Sequence, residues 1–260
     1  MIKNRRWTPA GKPGERVYAI GDIHGCLREV DALLNNIKRH NDYRDPAKTY
    51  LVFLGDLVDR GPNSRGVIER LISFPYEFAV PLFIKGNHEE MMVRSLMSEP
   101  HLIPDWLRYG GFACAESYGL SRRKLMGRDP NSLQRLLRSV IPRSHVEFLA
   151  ASLDYVRFGD YLFTHAGIRP GVPIEKQKTK DLRWVREPFL SFQGDHGMVV
   201  VHGHTISERV ETKHNRIGVD TGAYLTGKLS AICIDGADVT ILSSKTGDKL
   251  PLDSYPSPTS

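Results

Sequence analysis

The chain has 260 residues, 40% of them hydrophobic and 25% charged, with a formal net charge of +6. That length supports a full hydrophobic core without covalent staples, and no apolar run approaches the roughly 20 residues of a helical membrane span. The three cysteines, Cys26, Cys114 and Cys233, form no CxxC pair and no zinc-finger spacing, so the expectation is reduced thiols in a cytoplasmic protein rather than a disulfide framework or structural zinc site.

Residues 1–15, with Pro9, Gly11, Pro13 and Gly14, read as a flexible lead without the apolar segment of a secretory signal. One domain is expected over 16–246. It begins with an apolar strand over 17–20 that stops at Gly21-Asp22, after which Leu27, Val30, Leu33, Leu34 and Ile37 fall at helical spacing. The unit repeats as strand 50–54, Gly55-Asp56, and a helix bearing Val67, Ile68, Leu71 and Ile72. A third copy runs through strand 80–84 and Gly86-Asn87 into a helix from about Glu89.

From about 100 to 152 the chain becomes Arg-rich and helical in period, with Leu133, Leu136, Leu137 and Val140 on one face and Pro104, Pro130 and Pro142 as punctuation. A helical insertion is expected there. Strands return over 155–158, 161–164, 198–201, 229–234 and 239–242, and the Pro- and Ser-rich residues 247–260 read as a disordered tail. The class is α/β. Periodicity alone leaves a single doubly wound sheet and a two-sheet arrangement equally open.

Five short segments carry the chemistry: Gly21-Asp22-Ile23-His24-Gly25, Gly55-Asp56-Leu57-Val58-Asp59-Arg60-Gly61, Gly86-Asn87-His88-Glu89, Thr164-His165-Ala166-Gly167 and His202-Gly203-His204-Thr205. Each puts Asp, Asn or His in a turn at the C-terminal end of a predicted strand, where ligands bind in open α/β sheets. A lone Asp there is commonly a turn former or helix cap. Five such segments in series instead point to a mixed oxygen and nitrogen ligand set, which suits manganese, iron or zinc.

These segments resemble the calcineurin-like metallophosphoesterases, and within them the bacterial phosphoprotein (serine/threonine) phosphatases. Val219-Asp220-Thr221-Gly222-Ala223 adds to the likeness. The resemblance implies a two-layer β-sandwich flanked by α-helices, with two divalent metal ions, manganese ahead of iron or zinc. It implies Asp22 and His24 on the first metal, Asp56 between both, and Asn87, His165 and His204 on the second. His202 is expected to be structural. A metal-bridged hydroxide would attack phosphorus, with His88 as general acid oriented by Asp59. Arg60 would bind phosphate, Arg186 (or Arg183) would be a second such arginine, and Tyr224 would line the cleft.

The resulting expectation is a phosphomonoesterase, in first place a serine/threonine protein phosphatase, with a dinucleoside polyphosphate hydrolase as the alternative. Symmetrical dinucleoside tetraphosphate hydrolases typically carry Ala at the position of Asp59, which favours the first reading. Expected partners are a phosphorylated protein or small phosphorylated molecule. Nucleic acid is not expected despite the positive charge, because no segment interleaves basic and aromatic residues for base stacking.

Overall fold

The computed structural model describes residues 8–245. Three strand–turn–helix units open the chain: β1 (Glu15–Ile20), α1 (Leu27–Asp42), β2 (Lys48–Phe53), α2 (Ser64–Ser73), β3 (Val80–Phe83) and α3 (Asn87–Met97). The insertion follows as α4 (Ile103–Trp106), α5 (Phe112–Ser117), α6 (Arg122–Leu125), α7 (Pro130–Val140) and α8 (Arg143–Ala150). The second half contains β4 (Tyr155–Phe158), β5 (Tyr161–Thr164), α9 (Thr179–Trp184), β6 (Val199–His202), β7 (Glu211–Thr212) and β8 (Arg216–Gly218). It closes with α10 (Ala223–Thr226), β9 (Ser230–Asp235) and β10 (Asp238–Ser243).

The strands form two sheets, ordered β10-β9-β1-β2-β3 and β4-β5-β6-β8-β7. In the first, β1, β2 and β3 are parallel; in the second, β5, β6 and β8 are. Side chains alternate across each strand. Val17 and Ala19 of β1 therefore face Phe163, Val199 and Val201 in the layer between the sheets, while Tyr18 and Ile20 face the outer helices. Beyond the second sheet, Leu162 and Val200 pack on Leu182, Val185 and Phe189. Helices thus flank a two-sheet sandwich on both sides. No helix among the described residues is long and apolar enough to cross a membrane.

Pattern and structure differ at two places. In α2, Ser64, Val67, Ile68 and Leu71 form the buried stripe, whereas Ile72 is 48% exposed. At 100° per residue Ile72 lies roughly 90° from the centre of that stripe. Residues 8–14 of the expected lead are held down rather than flexible: Ala10 N–H donates to Asp160 Oδ2 at 3.0 Å and Gly11 N–H to Gly236 O at 2.7 Å. The expected tail, 247–260, lies outside the described residues. The insertion is part of the main core, with Ile103, Trp106, Cys114, Leu133 and Leu137 joining the cluster built by α1, α2 and α3.

Phe163 is fully buried between the sheets, paired with Val201 in the parallel register of β5 and β6. Phe163→Ala should destabilise the fold by ~3–5 kcal/mol in urea unfolding. A loss below about 1 kcal/mol would show that the sheets do not depend on this interface.

Candidate functional site

The parallel strands of both sheets deliver their C-terminal ends to one edge of the sandwich. The turns that follow are tight. Among the described residues, the non-glycine positions with positive φ are His24 (47°), Asp56 (50°), Asp59 (71°), Arg60 (65°) and His204 (62°). All five belong to the motif segments. Left-handed backbone at non-glycine residues concentrates where function fixes a side-chain direction. Glycine serves close approach instead: a Cβ at Gly61 would stand 1.9 Å from His24 O, and one at Gly203 would stand 2.0 Å from Asp22 Oδ1.

Two groups of metal-competent side chains result, His24 with Asp56 and His88, and Asp56 with His165 and His204; within each group the ligand atoms lie within 4.8 Å of one another. Asp56 is common to both. Its Oδ2 is 3.5 Å from His24 Nε2 and 3.4 Å from His165 Nε2. Asn87 Oδ1 is 2.9 Å from both His165 Nε2 and His204 Nδ1. His24 Nδ1 donates to Val58 O and His165 Nδ1 to Leu54 O, each at 2.8 Å. Those bonds fix the tautomers and leave Nε2 of both rings aimed inward.

Asp22 lies in neither group. Its carboxylate accepts the His204 backbone N–H at 3.0 and 3.2 Å and faces Asp220.

The electrostatics of this cluster bear on what it can hold. Asp22, Asp56, Asp59, Glu89 and Asp220 are all buried, while Arg60 at the rim is exposed. Burial, then repulsion from Asp220 and Asp56, pushes Asp22 well above the usual carboxylate range. Burial raises Glu89 to about 7 and Asp220 to about 6, with Asp56 adding to both. Burial would raise Asp56 too, but the imidazoles of His165 and His88 outweigh it and hold it well down. Burial drives His24 and His204 down to about 3, so both rings are neutral. Two neutral imidazoles, His24 and His204, a third imidazole, His165, that Asp56 raises against its burial, an amide oxygen and mutually repelling buried carboxylates fit divalent cations.

Beside the second motif, His88 Nδ1 meets Asp59 Oδ2 at 2.7 Å. Burial lowers the His88 pKa, but Asp56 and Asp59 outweigh it and leave the ring raised. Arg60 Nη2 lies 3.1 Å from His88 Nε2, and Nη1 donates to the Tyr224 hydroxyl at 2.8 Å. Arg186 is exposed and close enough that its charge helps to lower His204. Arg183 is paired with Glu90 and Asp154. His202 is buried against Gly203 O at 3.0 Å and does not join it.

Two residues escaped sequence reasoning. Glu89 accepts the backbone N–H groups of Asp56 (2.7 Å), Leu57 (2.8 Å), Val58 (3.4 Å) and Gly86 (2.9 Å), and so fixes the turn that carries Asp56. Its place inside the third motif was the available signal. Trp106, from the insertion, donates its indole N–H to both oxygens of Asp59 at 3.0 and 3.1 Å. A tryptophan 47 positions downstream gives no local cue to that contact.

The chain belongs to the calcineurin-like phosphoesterase family, whose sequence profile matches residues 15–229. It is 28% identical over 233 residues to the asymmetrical bis(5'-nucleosyl)-tetraphosphatase PrpE of Halalkalibacterium halodurans, covering 82% of this chain and 87% of that one. It is 29% identical over 234 residues to serine/threonine-protein phosphatase 1 of Salmonella typhimurium, covering 84% and 92%. A solved structure provisionally named a diadenosine tetraphosphatase superposes with a TM-score of 0.63 at 22% identity, covering 91% and 97%. The protein is therefore a metallophosphoesterase.

Metal uptake should release protons in a pH-dependent way. Glu89 and Asp220, raised to about 7 and about 6, hold protons near pH 6 that a bound cation would expel; at pH 8 both are already ionised. Asp22, raised by burial, and His165, raised by Asp56 against its burial, must also give up any proton they hold, whereas His24 and His204, lowered to about 3, contribute none at either pH. Calorimetric titration of metal-free protein in two buffers of different ionisation enthalpy should therefore give larger proton release at pH 6 than at pH 8. Equal release at both values would contradict this electrostatic description.

Proposed function

We propose that the protein is a phosphomonoesterase that removes phosphate from phosphoserine or phosphothreonine in proteins. The observation that carries this reading is the buried Asp59–His88 pair, joined at 2.7 Å, with Arg60 beside His88 Nε2. Asp22 and His24 would hold one cation, Asn87, His165 and His204 the other, and Asp56 both. Bound there, two divalent ions supply a nucleophile from water near neutral pH and neutralise charge on the phosphoryl oxygens. Manganese suits the mixed carboxylate, amide and imidazole set better than magnesium does. The three cysteines are buried and unpaired, in keeping with a reducing cytoplasmic setting.

The chain's own residues do the rest. Arg60, whose Nη1 and Nη2 meet Tyr224 and His88, would offer a planar fork suited to two phosphate oxygens. Tyr224 limits where that fork can swing, through its hydroxyl and through its ring, 5.0 Å from the guanidinium carbon. Arg186 adds charge on the His204 side. His88 Nδ1 donates to Asp59, so Nε2 would be the atom that delivers a proton to the departing oxygen once Arg60 Nη2, a donor that faces it at 3.1 Å, has moved onto phosphate. A serine or threonine alkoxide is a poor leaving group, so this proton is worth most on such a substrate.

A second reading, hydrolysis of a dinucleoside polyphosphate, draws on the likeness to the tetraphosphatase PrpE. The same metals and Arg60 would serve it, but a polyphosphate leaves as a stabilised anion and needs His88 far less.

Chelation should abolish turnover, and Mn²⁺ should restore it more fully than Mg²⁺; full activity in a chelated, metal-free sample would overturn the metal requirement. His88→Asn should cost ~10²–10⁴-fold in kcat on a phosphothreonine peptide and clearly less on an activated aryl phosphate, with bound metal little changed. Finally, kcat/KM on the peptide should exceed that on diadenosine tetraphosphate under matched Mn²⁺ conditions. A tenfold preference for the dinucleotide, about 1.4 kcal/mol in transition-state binding, would install the second reading instead.

A further inference from the structure

Asp59 is fully buried, so both of its carboxylate oxygens need donors from within the protein. His88 engages Oδ2 alone. The indole N–H of Trp106 spans both oxygens, at 3.1 Å to Oδ1 and 3.0 Å to Oδ2. Trp106 is itself 1% exposed and sits at the end of α4, in the insertion rather than in the motif-bearing scaffold. The same stretch grips the next residue: Arg60 N–H donates to Gly110 O at 3.1 Å. Gly110 has φ 127°, and a Cβ there would meet Arg60 Cγ at 2.8 Å and Asp59 Cβ at 3.2 Å. Gly111 leaves room for the indole, since a Cβ on it would stand 2.7 Å from the ring.

We propose that Trp106 is a positioning residue for the phosphoesterase reaction: its indole N–H holds the Asp59 carboxylate in the rotamer that orients His88, and the helical insertion serves to deliver it. This rests on the reading of His88 as proton donor given above. The physical case is one of freedom removed. A carboxylate with a single partner at one oxygen can rotate about its terminal torsion, a broad and shallow coordinate. A rigid donor straddling both oxygens restricts that rotation and keeps Oδ2 on His88 Nδ1. Asp59 and Arg60 both lie in left-handed backbone, at φ 71° and 65°, which is strained for such residues. The Asp59 N–H bond to Ser64 Oγ at 2.9 Å and the Arg60 N–H bond to Gly110 O hold that turn from two sides. The insertion therefore secures the backbone and the side chain of the dyad together.

Trp106→Phe removes the N–H and keeps most of the ring. Metal-loaded Trp106→Phe should lose several-fold more kcat on a phosphothreonine peptide than on p-nitrophenyl phosphate, with KM little changed, because the deficit falls on proton delivery. In an Asp59→Asn background the same substitution should have no further effect. Gly111→Ala, which displaces the ring, should reproduce the pattern. Equal losses on both substrates, or a Trp106→Phe loss that persists in full beside Asp59→Asn, would mean that the indole is only core packing.

A readout independent of turnover comes from the indole resonances, since the chain has three tryptophans. One indole proton should move and exchange faster with solvent in Asp59→Asn, and its staying unchanged would overturn the proposal even if Trp106→Phe failed to fold. The two readings fail differently. If Asp59→Asn shows the leaving-group-dependent loss and Trp106→Phe does not, only the Trp106 assignment falls. If neither shows it while His88→Asn does, orientation of His88 through Asp59 falls and the positioning role with it; if His88→Asn lacks it as well, the acid role itself falls.

Discussion

Burial of the Asp56 carboxylate governs this site. The residue is 2% exposed, and an unpaired ionised carboxylate in such a place is costly enough that it ordinarily takes up a proton instead. Here the imidazoles around it keep it ionised, and its main chain joins three motifs. Its carbonyl accepts the N–H groups of Ile23 and His24, at 3.1 and 2.8 Å, its N–H donates to Glu89, and its Oδ1 accepts the N–H of His88 at 3.0 Å. Moving Asp56 therefore disturbs the first and third turns as well as the second. Glu89 reinforces the arrangement by collecting four backbone N–H groups around one buried carboxyl. Such bonds favour the ionised carboxyl and so offset part of the burial and Asp56 repulsion that raise Glu89 to about 7.

That arrangement is held against strain. Five site residues occupy left-handed backbone, at ~1–3 kcal/mol each, a sum comparable to the ~5–15 kcal/mol stability of an ordinary domain. The surrounding packing must offset it. Apolar clusters between the sheets and on both outer faces hold the strand ends rigidly enough that the turns cannot relax. A site at the shared edge of two sheets can draw ligands from both, Asp22 to Asn87 from the first and His165 and His204 from the second. Of the six proposed donors, the first sheet alone would offer four and the second two.

The motif residues were legible because the chemistry dictates both residue type and position: a donor, a glycine beside it, and a strand before it. The strand–helix rhythm was legible for the same kind of reason, since α1 buries Val30, Leu33, Leu34 and Ile37 at helical spacing. The division into two sheets was not. β1 is buried on both faces, so it reads as a continuous apolar run whether helices or a second sheet cover it. Nor were β7 and β8, two and three residues long, too short for any period to register. Trp106 is the clearest loss. Its partner lies 47 residues upstream, and in sequence it is one more apolar residue of a helical stretch. Pattern reveals which face a residue turns to the core but not which polar atom it meets there.

The shared scaffold also explains why relatives named for different substrates match this chain about equally, at 28% and 29% identity. The demanding parts of phosphoryl transfer, neutralising the phosphoryl oxygens and generating a nucleophile, are the same for a phosphoprotein and a dinucleoside polyphosphate. Ligand residues therefore carry little information about substrate. What differs is the leaving group, and a proton donor matters in proportion to how unstable that group is as an anion. If His88 is the proton donor proposed above, the discriminating features would lie around it, in how firmly Asp59 holds it and how Arg60 shares its Nε2 face. In this protein those features are built partly by the insertion, through Trp106 and Gly110. On the proposed reading, substrate class would be written less in the metal ligands than in the helical segment that packs beside them.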